Sequence, residues 1–210
     1  MRMIKIWSIT FFCTAVILVT DNCAAVDTKK EGVILKKYSD ESQNRYSDLL
    51  VDISRYTSNG ALYHEKYQKL LIGLAAEIIE GKNLAIVPGT MGFYFDKKSS
   101  ERNNLFLGLD IDAGTNPGEG YNATASSLIK HDLRDLIAIV HSCVSIFSEK
   151  EIIGMVIGWR WGAAENQNQV NIWMDKSDLI RFEEKKLTFD ELVQRSVITN
   201  TAGKIIRVQL

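Results

Sequence analysis

Apolar residues along this chain change their spacing several times, and each change marks a new element. Tyr46, Leu49, Leu50 and Ile53 recur at helical spacing, which predicts an amphipathic helix over 41–57 that stops at Ser58-Asn59-Gly60. Tyr67, Leu70, Leu71, Leu74 and Ile78 mark a second helix, with Gly81 expected as its C-terminal glycine cap. The two helices are expected to form an N-terminal hairpin.

The period then falls to two. Met91, Phe93 and Phe95 alternate with Gly92, Tyr94 and Asp96, and Leu105, Leu107, Leu109 and Ile111 alternate with Phe106, Gly108, Asp110 and Asp112. Such alternation predicts strands with one face on a core. Helical spacing returns from Thr124 to Phe147, where Ile129, Leu133, Leu136, Ile137, Val140, Cys143, Val144 and Phe147 form a stripe wide enough for a helix laid across a sheet. Two further strands follow, one carrying Ile153, Met155, Ile157, Trp159 and Trp161, the other Val170, Ile172 and Met174.

Leu187-Thr188-Phe189-Asp190-Glu191-Leu192 has the form of a capping box with a hydrophobic staple, opening a short helix over 189–195. Val197-Ile198-Thr199 and Ile205-Ile206-Arg207-Val208 are expected to close the chain as a hairpin around Ala202-Gly203. The predicted class is α+β. Its largely antiparallel sheet is built from hairpins with a long crossing helix, preceded by the helical hairpin.

The start of the chain follows a different pattern. Arg2 and Lys5 precede an apolar run from Ile6 to Thr20, and small residues follow at Cys23-Ala24-Ala25. This is the pattern of an export signal over 1–25. The run is shorter than the ~20 residues that span a bilayer. Cleavage after Ala25 would start the mature chain at Val26. Cys23 is the possible lipidation site, although Thr20-Asp21-Asn22 fits the lipoprotein pattern poorly. Residues 26–40 read as an irregular, lysine-bearing tether and 41–210 as a single α+β domain. Of the three cysteines, Cys13 and Cys23 fall in the signal, so Cys143 remains alone and no internal disulfide is expected.

Formal net charge is −1, with no basic block to follow a phosphate backbone, which argues against nucleic acid. His141 and Cys143 stand about 200° apart on a helix, so they cannot form a catalytic pair. His131 and His141 lie about 15 Å apart along the same helix and cannot share a metal. No metal or cofactor motif is found, and Cys143 reads as a buried structural residue. Asp110 and Asp112 sit about 6–7 Å apart on the polar side of one strand, which reads as a solvated strand face. Gly154 and Gly158 mark a close approach, expected from a helix side chain.

Trp173, Arg160 and Tyr94 alternate away from the apolar faces of their strands. They are the candidate binding residues, with an Arg160–Trp173 cation–π contact as one way they meet. The expectation is an exported protein of the periplasm, cell envelope or extracellular space that binds another protein or an envelope component. Its membrane contact would be limited to the signal or a lipid anchor. An inhibitor or immunity-type protein and an envelope hydrolase are the alternatives; the hydrolase would need Asp110, Asp112, Arg160 or a histidine to converge in one concave site.

Overall fold

The computed structural model describes residues 30–38, 45–56, 58–95, 104–114 and 120–208. The export signal expected over 1–25, Cys23 within it, lies outside the described residues. The fold is mixed α and β, with an open sheet that is mostly antiparallel. Among the described residues the strands are β1 Ala85–Ile86, β2 Gly92–Phe95, β3 Leu105–Asp112, β4 Ile152–Trp161, β5 Asn168–Asp175 and β6 Val197–Asn200. Their order is β1-β3-β4-β5-β6, and β2 pairs with β3 beside β1.

One ladder departs from the hairpin expectation: β3 and β4 run parallel. A hairpin would have made them antiparallel, but helices stand between them in the chain, and parallel neighbours need such a connection. These helices are α3 Tyr121–Val140 and α4 Val144–Ser148. The expected single helix to Phe147 is therefore broken. The Ser142 hydroxyl donates to the Ile139 carbonyl at 2.6 Å, a side-chain bond that competes with continued helix, and Cys143 stands at the N-cap position of α4 without a side-chain bond.

Before the sheet the helical hairpin is replaced by something less regular. The described part of 41–57 holds short 3₁₀ turns at Ser47–Leu49 and Ile53–Arg55, with Leu50 bridged to Met91. Tyr46, Leu49 and Leu50 are buried in the core, whereas Ile53 is 42 % exposed, so the four do not share one helical face. The second helix, α2, covers Ser58–Ala76 and continues as a π turn over Glu77–Gly81. Asn83, with φ 55°, supplies the left-handed residue expected of Gly81. The tether expectation also changes, because 30–37 is helical (α1). Ile34 is buried against Gly73 of α2, Tyr38 donates to Glu77 at 2.7 Å, and Glu31 accepts from the Ser145 amide at 3.0 Å.

The core lies on one side of the sheet. Leu107, Leu109 and Ile111 on β3, Met155, Ile157, Trp159 and Trp161 on β4, and Val170, Ile172 and Met174 on β5 are all buried there. The same cluster takes Leu71 and Leu74 from α2 and Leu133 and Leu136 from α3. It also takes Leu179 from α5 (Lys176–Glu183) and Leu192 from α6 (Phe189–Arg195). Each such side chain contributes about 1.5–3 kcal/mol on burial. One polar link crosses the layers, where the Trp159 indole donates to Asp132 of α3 at 3.0 Å.

Helix α6 starts where the sequence places it. The Thr188 hydroxyl accepts the Glu191 amide at 3.2 Å, and the Glu191 carboxylate accepts the Thr188 amide at 2.7 Å. At the C-terminal end the predicted hairpin shrinks to a bridge between Thr199 and Ile205. Thr188→Ala should lower unfolding free energy by about 0.5–2 kcal/mol. An unchanged midpoint in denaturant would remove the box from the account.

Candidate functional site

Alternation that sends apolar residues into the core sends the intervening residues to the opposite face of the sheet. The pairing register arranges them in rows. Tyr94, Phe106, Gly154 and Asp175 form the first, and Gly92, Gly108, Val156, Trp173 and Val197 the second. Asp110, Gly158, Asn171 and Thr199 form the third, and Asp112, Arg160 and Gln169 the fourth. The first two rows are mainly aromatic and aliphatic, with Asp175 at the β5 end of the first, and the last two are polar.

Three glycines keep this face low, while at Gly92 the Tyr56 hydroxyl and Val51, from the segment before β2, lie where a Cβ would stand. A Cβ on Gly154 would meet the Phe106 ring at 2.8 Å, and one on Gly108 would meet the Tyr94 ring at 2.8 Å. On Gly158 it would press on Asp110 and stand 2.6 Å from Asn171 Oδ1. The close approach expected at Gly154 and Gly158 is therefore real, but it comes from neighbouring strands and not from a helix. Large side chains of neighbouring strands lie over these glycines. Tyr94, Asp110, Arg160, Gln169, Asn171 and Trp173 are all half-buried, whereas the core-facing residues of the same strands are sealed.

Asp110 is the centre of the polar half. Its Oδ2 accepts from Arg160 Nε at 2.9 Å, from Arg160 Nη2, and from Gln169 Nε2 at 3.3 Å. Gln169 Nε2 also donates to Asn171 Oδ1 at 2.7 Å. Burial pushes the Asp110 carboxyl above its usual range, and the Arg160 guanidinium pulls the other way. Desolvation thus opposes a charge that the ion pair keeps in place.

The structure brings the three predicted binding residues to one face, without the contact expected between two of them. Arg160 turns to Asp110, not to Trp173. Trp173 meets Phe106 edge-on, with ring centroids 5.2 Å apart and planes at 87°. Tyr94 sits at the β2 side, its hydroxyl donating to the Thr90 carbonyl, and burial raises the hydroxyl pKa well above its usual value. Sequence reasoning missed Phe106, Gln169 and Asn171. Their common face could have been found from alternation alone, but their adjacency to Arg160 and Asp110 needed the parallel β3–β4 register.

Other candidates fall elsewhere. Asp112, exposed at the end of β3, accepts the Gly114 amide at 2.9 Å. Cys143 is fully buried, which raises its thiol pKa strongly and suppresses the thiolate. His141 is buried with Nδ1 2.7 Å from Glu183 Oε2 and its ring 4.9 Å from Phe147, in an orientation that completes no hydrogen bond. Among the described residues no group of three His, Cys, Asp or Glu is placed to hold a metal ion, and no helix is long and apolar enough to cross a membrane.

Arg160→Met should leave the Asp110 carboxylate without its cation. The cost is about 1–3 kcal/mol near neutral pH, held down by the partial exposure of the pair. Without the guanidinium the folded carboxyl pKa rises further above its unfolded value. The variant's deficit should therefore be full only above its raised folded carboxyl pKa, and shrink as pH falls through that pKa and Asp110 binds a proton. Denaturant unfolding at several pH values checks this, and a deficit independent of pH would contradict it.

Comparison with known proteins gives no match to this chain, by family model, by curated sequence or by solved structure.

Proposed function

We propose that this is an exported binding protein of the periplasm, cell envelope or extracellular space that meets its partner on the uncovered face of its sheet. The observation that carries the binding half is one-sidedness. Helices α2, α3, α5 and α6 all send residues into one core, and in this reading α3 is the long helix laid across the covered side. The other side carries Trp173, Arg160 and Tyr94. Trp, Tyr and Arg are the residue types that dominate binding hot spots. The partner is an envelope component or another protein.

A binding role is favoured over the hydrolase alternative by how the polar groups are used. Asp110 is held by Arg160 and Gln169, Asp112 turns to a backbone amide, and His64 stands 3.3 Å from the Tyr56 hydroxyl. His131 and His141 belong to the α3 side, where they contact Asp132 and Glu183. Among the described residues no histidine joins the carboxylates of the uncovered face. The export half rests on the charged start, the apolar run Ile6–Thr20 and the small residues Cys23-Ala24-Ala25.

Fractionation of the source cells with N-terminal sequencing tests the first half. The expected start is Val26 in an exported fraction. A chain retained in the cytoplasm with Met1 intact would end the export reading, and a diacylglyceryl group on Cys23 would replace soluble release with anchoring. Capture from envelope extract, comparing wild type with Trp173→Ala, tests the second. Equal capture by both would move the binding surface away from this face.

A further inference from the structure

We propose that the uncovered sheet face takes a neutral glycan chain, an inference that rests on reading this face as the binding surface. Its charge distribution gives the first reason. Asp110 and Arg160 neutralise one another at the centre, and the remaining carboxylates, Asp112 and Asp175, stand at opposite corners, on row four of β3 and row one of β5. The centre offers no uncompensated charge to an ionic ligand, and its acidic corners repel an anion.

Hydrogen-bonding groups give the second. Gln169 Nε2 is fixed between Asp110 Oδ2 and Asn171 Oδ1, which sets the orientation of both amides. Gln169 then presents its side-chain oxygen as an acceptor, and Asn171 its NH₂ as a donor, two positions apart on the same strand face. Arg160 keeps donors beyond the two given to Asp110. Fixed donors beside fixed acceptors suit vicinal hydroxyls, each of which donates and accepts. Pre-set orientation reduces the ordering cost of binding.

The aromatic half gives the third. Trp173 lies between Val156 and Val197 across the strands and next to Asn171 along its own, so an apolar ring adjoins the polar row. A pyranose has the same division, with C–H groups on one face and hydroxyls at its rim. A protein partner would call for an exposed apolar centre. On this face the large hydrophobic residues that stand out to solvent, Val197 at 45 % exposure and Ile205 at 66 %, lie at the β6 edge, while nearer the centre Phe106 is buried and Trp173 half-buried.

Affinity electrophoresis of the exported protein through gels containing amylose, dextran, soluble cellulose or glycol chitin tests the proposal. Retardation by at least one of these polymers is expected, and salt should leave it unchanged because the ligand is uncharged. Trp173→Ala should weaken retardation about tenfold, while Trp173→Phe, which keeps a ring, should preserve most of it. Asn171→Ala should weaken it without unfolding the protein, as circular dichroism would show. No retardation by any polymer, or retardation that Trp173→Ala leaves intact, overturns the glycan assignment. If Trp173→Ala nevertheless abolishes capture of a protein from envelope extract, the binding face stands and only its ligand class is wrong.

Discussion

Sealing one face of the sheet and leaving the other largely uncovered among the described residues is the constraint on which the structure depends. A strand alternates its side chains between two faces, so one face can be made wholly apolar only by sending the intervening residues to the other. Here β3, β4 and β5 give most of their Leu, Ile, Val, Met and Trp to the helices and collect Asp, Arg, Gln, Asn, Val156, Phe106 and Trp173 on the opposite side. A one-residue slip in any ladder would bury the Asp110–Arg160 network and expose the core. Register is therefore fixed by the hydrophobic pattern, and the polar network is fixed with it.

Parallel pairing of β3 with β4 is what makes that network. It sets Asp110 beside Gly158 and Asp112 beside Arg160, so the Arg160 side chain needs to reach only diagonally to Asp110. Gly158 leaves the space into which Asp110 and Asn171 lean. The same arrangement explains why the pair tolerates partial burial: three donors converge on one carboxylate oxygen, and a hydrogen-bonded ion pair escapes most of the cost of an isolated buried charge.

Much of this was legible in the residues. Period-two runs located β2, β3, β4 and β5, and the Thr188–Glu191 box located α6, because both signals are local. Helices were harder. Tyr46, Leu49, Leu50 and Ile53 have helical spacing, yet the segment forms 3₁₀ turns, with Leu50 bridged to Met91 and Ile53 left exposed. The run through Cys143 hid a break, because Ser142 ends α3 by a side-chain bond that spacing does not reveal. Trp173, Arg160 and Tyr94 could be assigned to the outer faces of their strands from alternation. The partner of Arg160 could not, because it depends on a parallel pairing between residues fifty positions apart in the chain.

The most direct test of an uncovered face is acrylamide quenching of tryptophan emission in the chain produced from Val26, which lacks Trp7. Trp159 and Trp161 are 0 % and 1 % exposed, so the quencher should reach Trp173 and leave them dark to it. The account predicts a quenchable, red-shifted component that Trp173→Phe removes, with the residual emission resistant to acrylamide. Equal quenching of wild type and Trp173→Phe would show that Trp173 is covered, and the uncovered face, together with the binding role placed on it, would be contradicted.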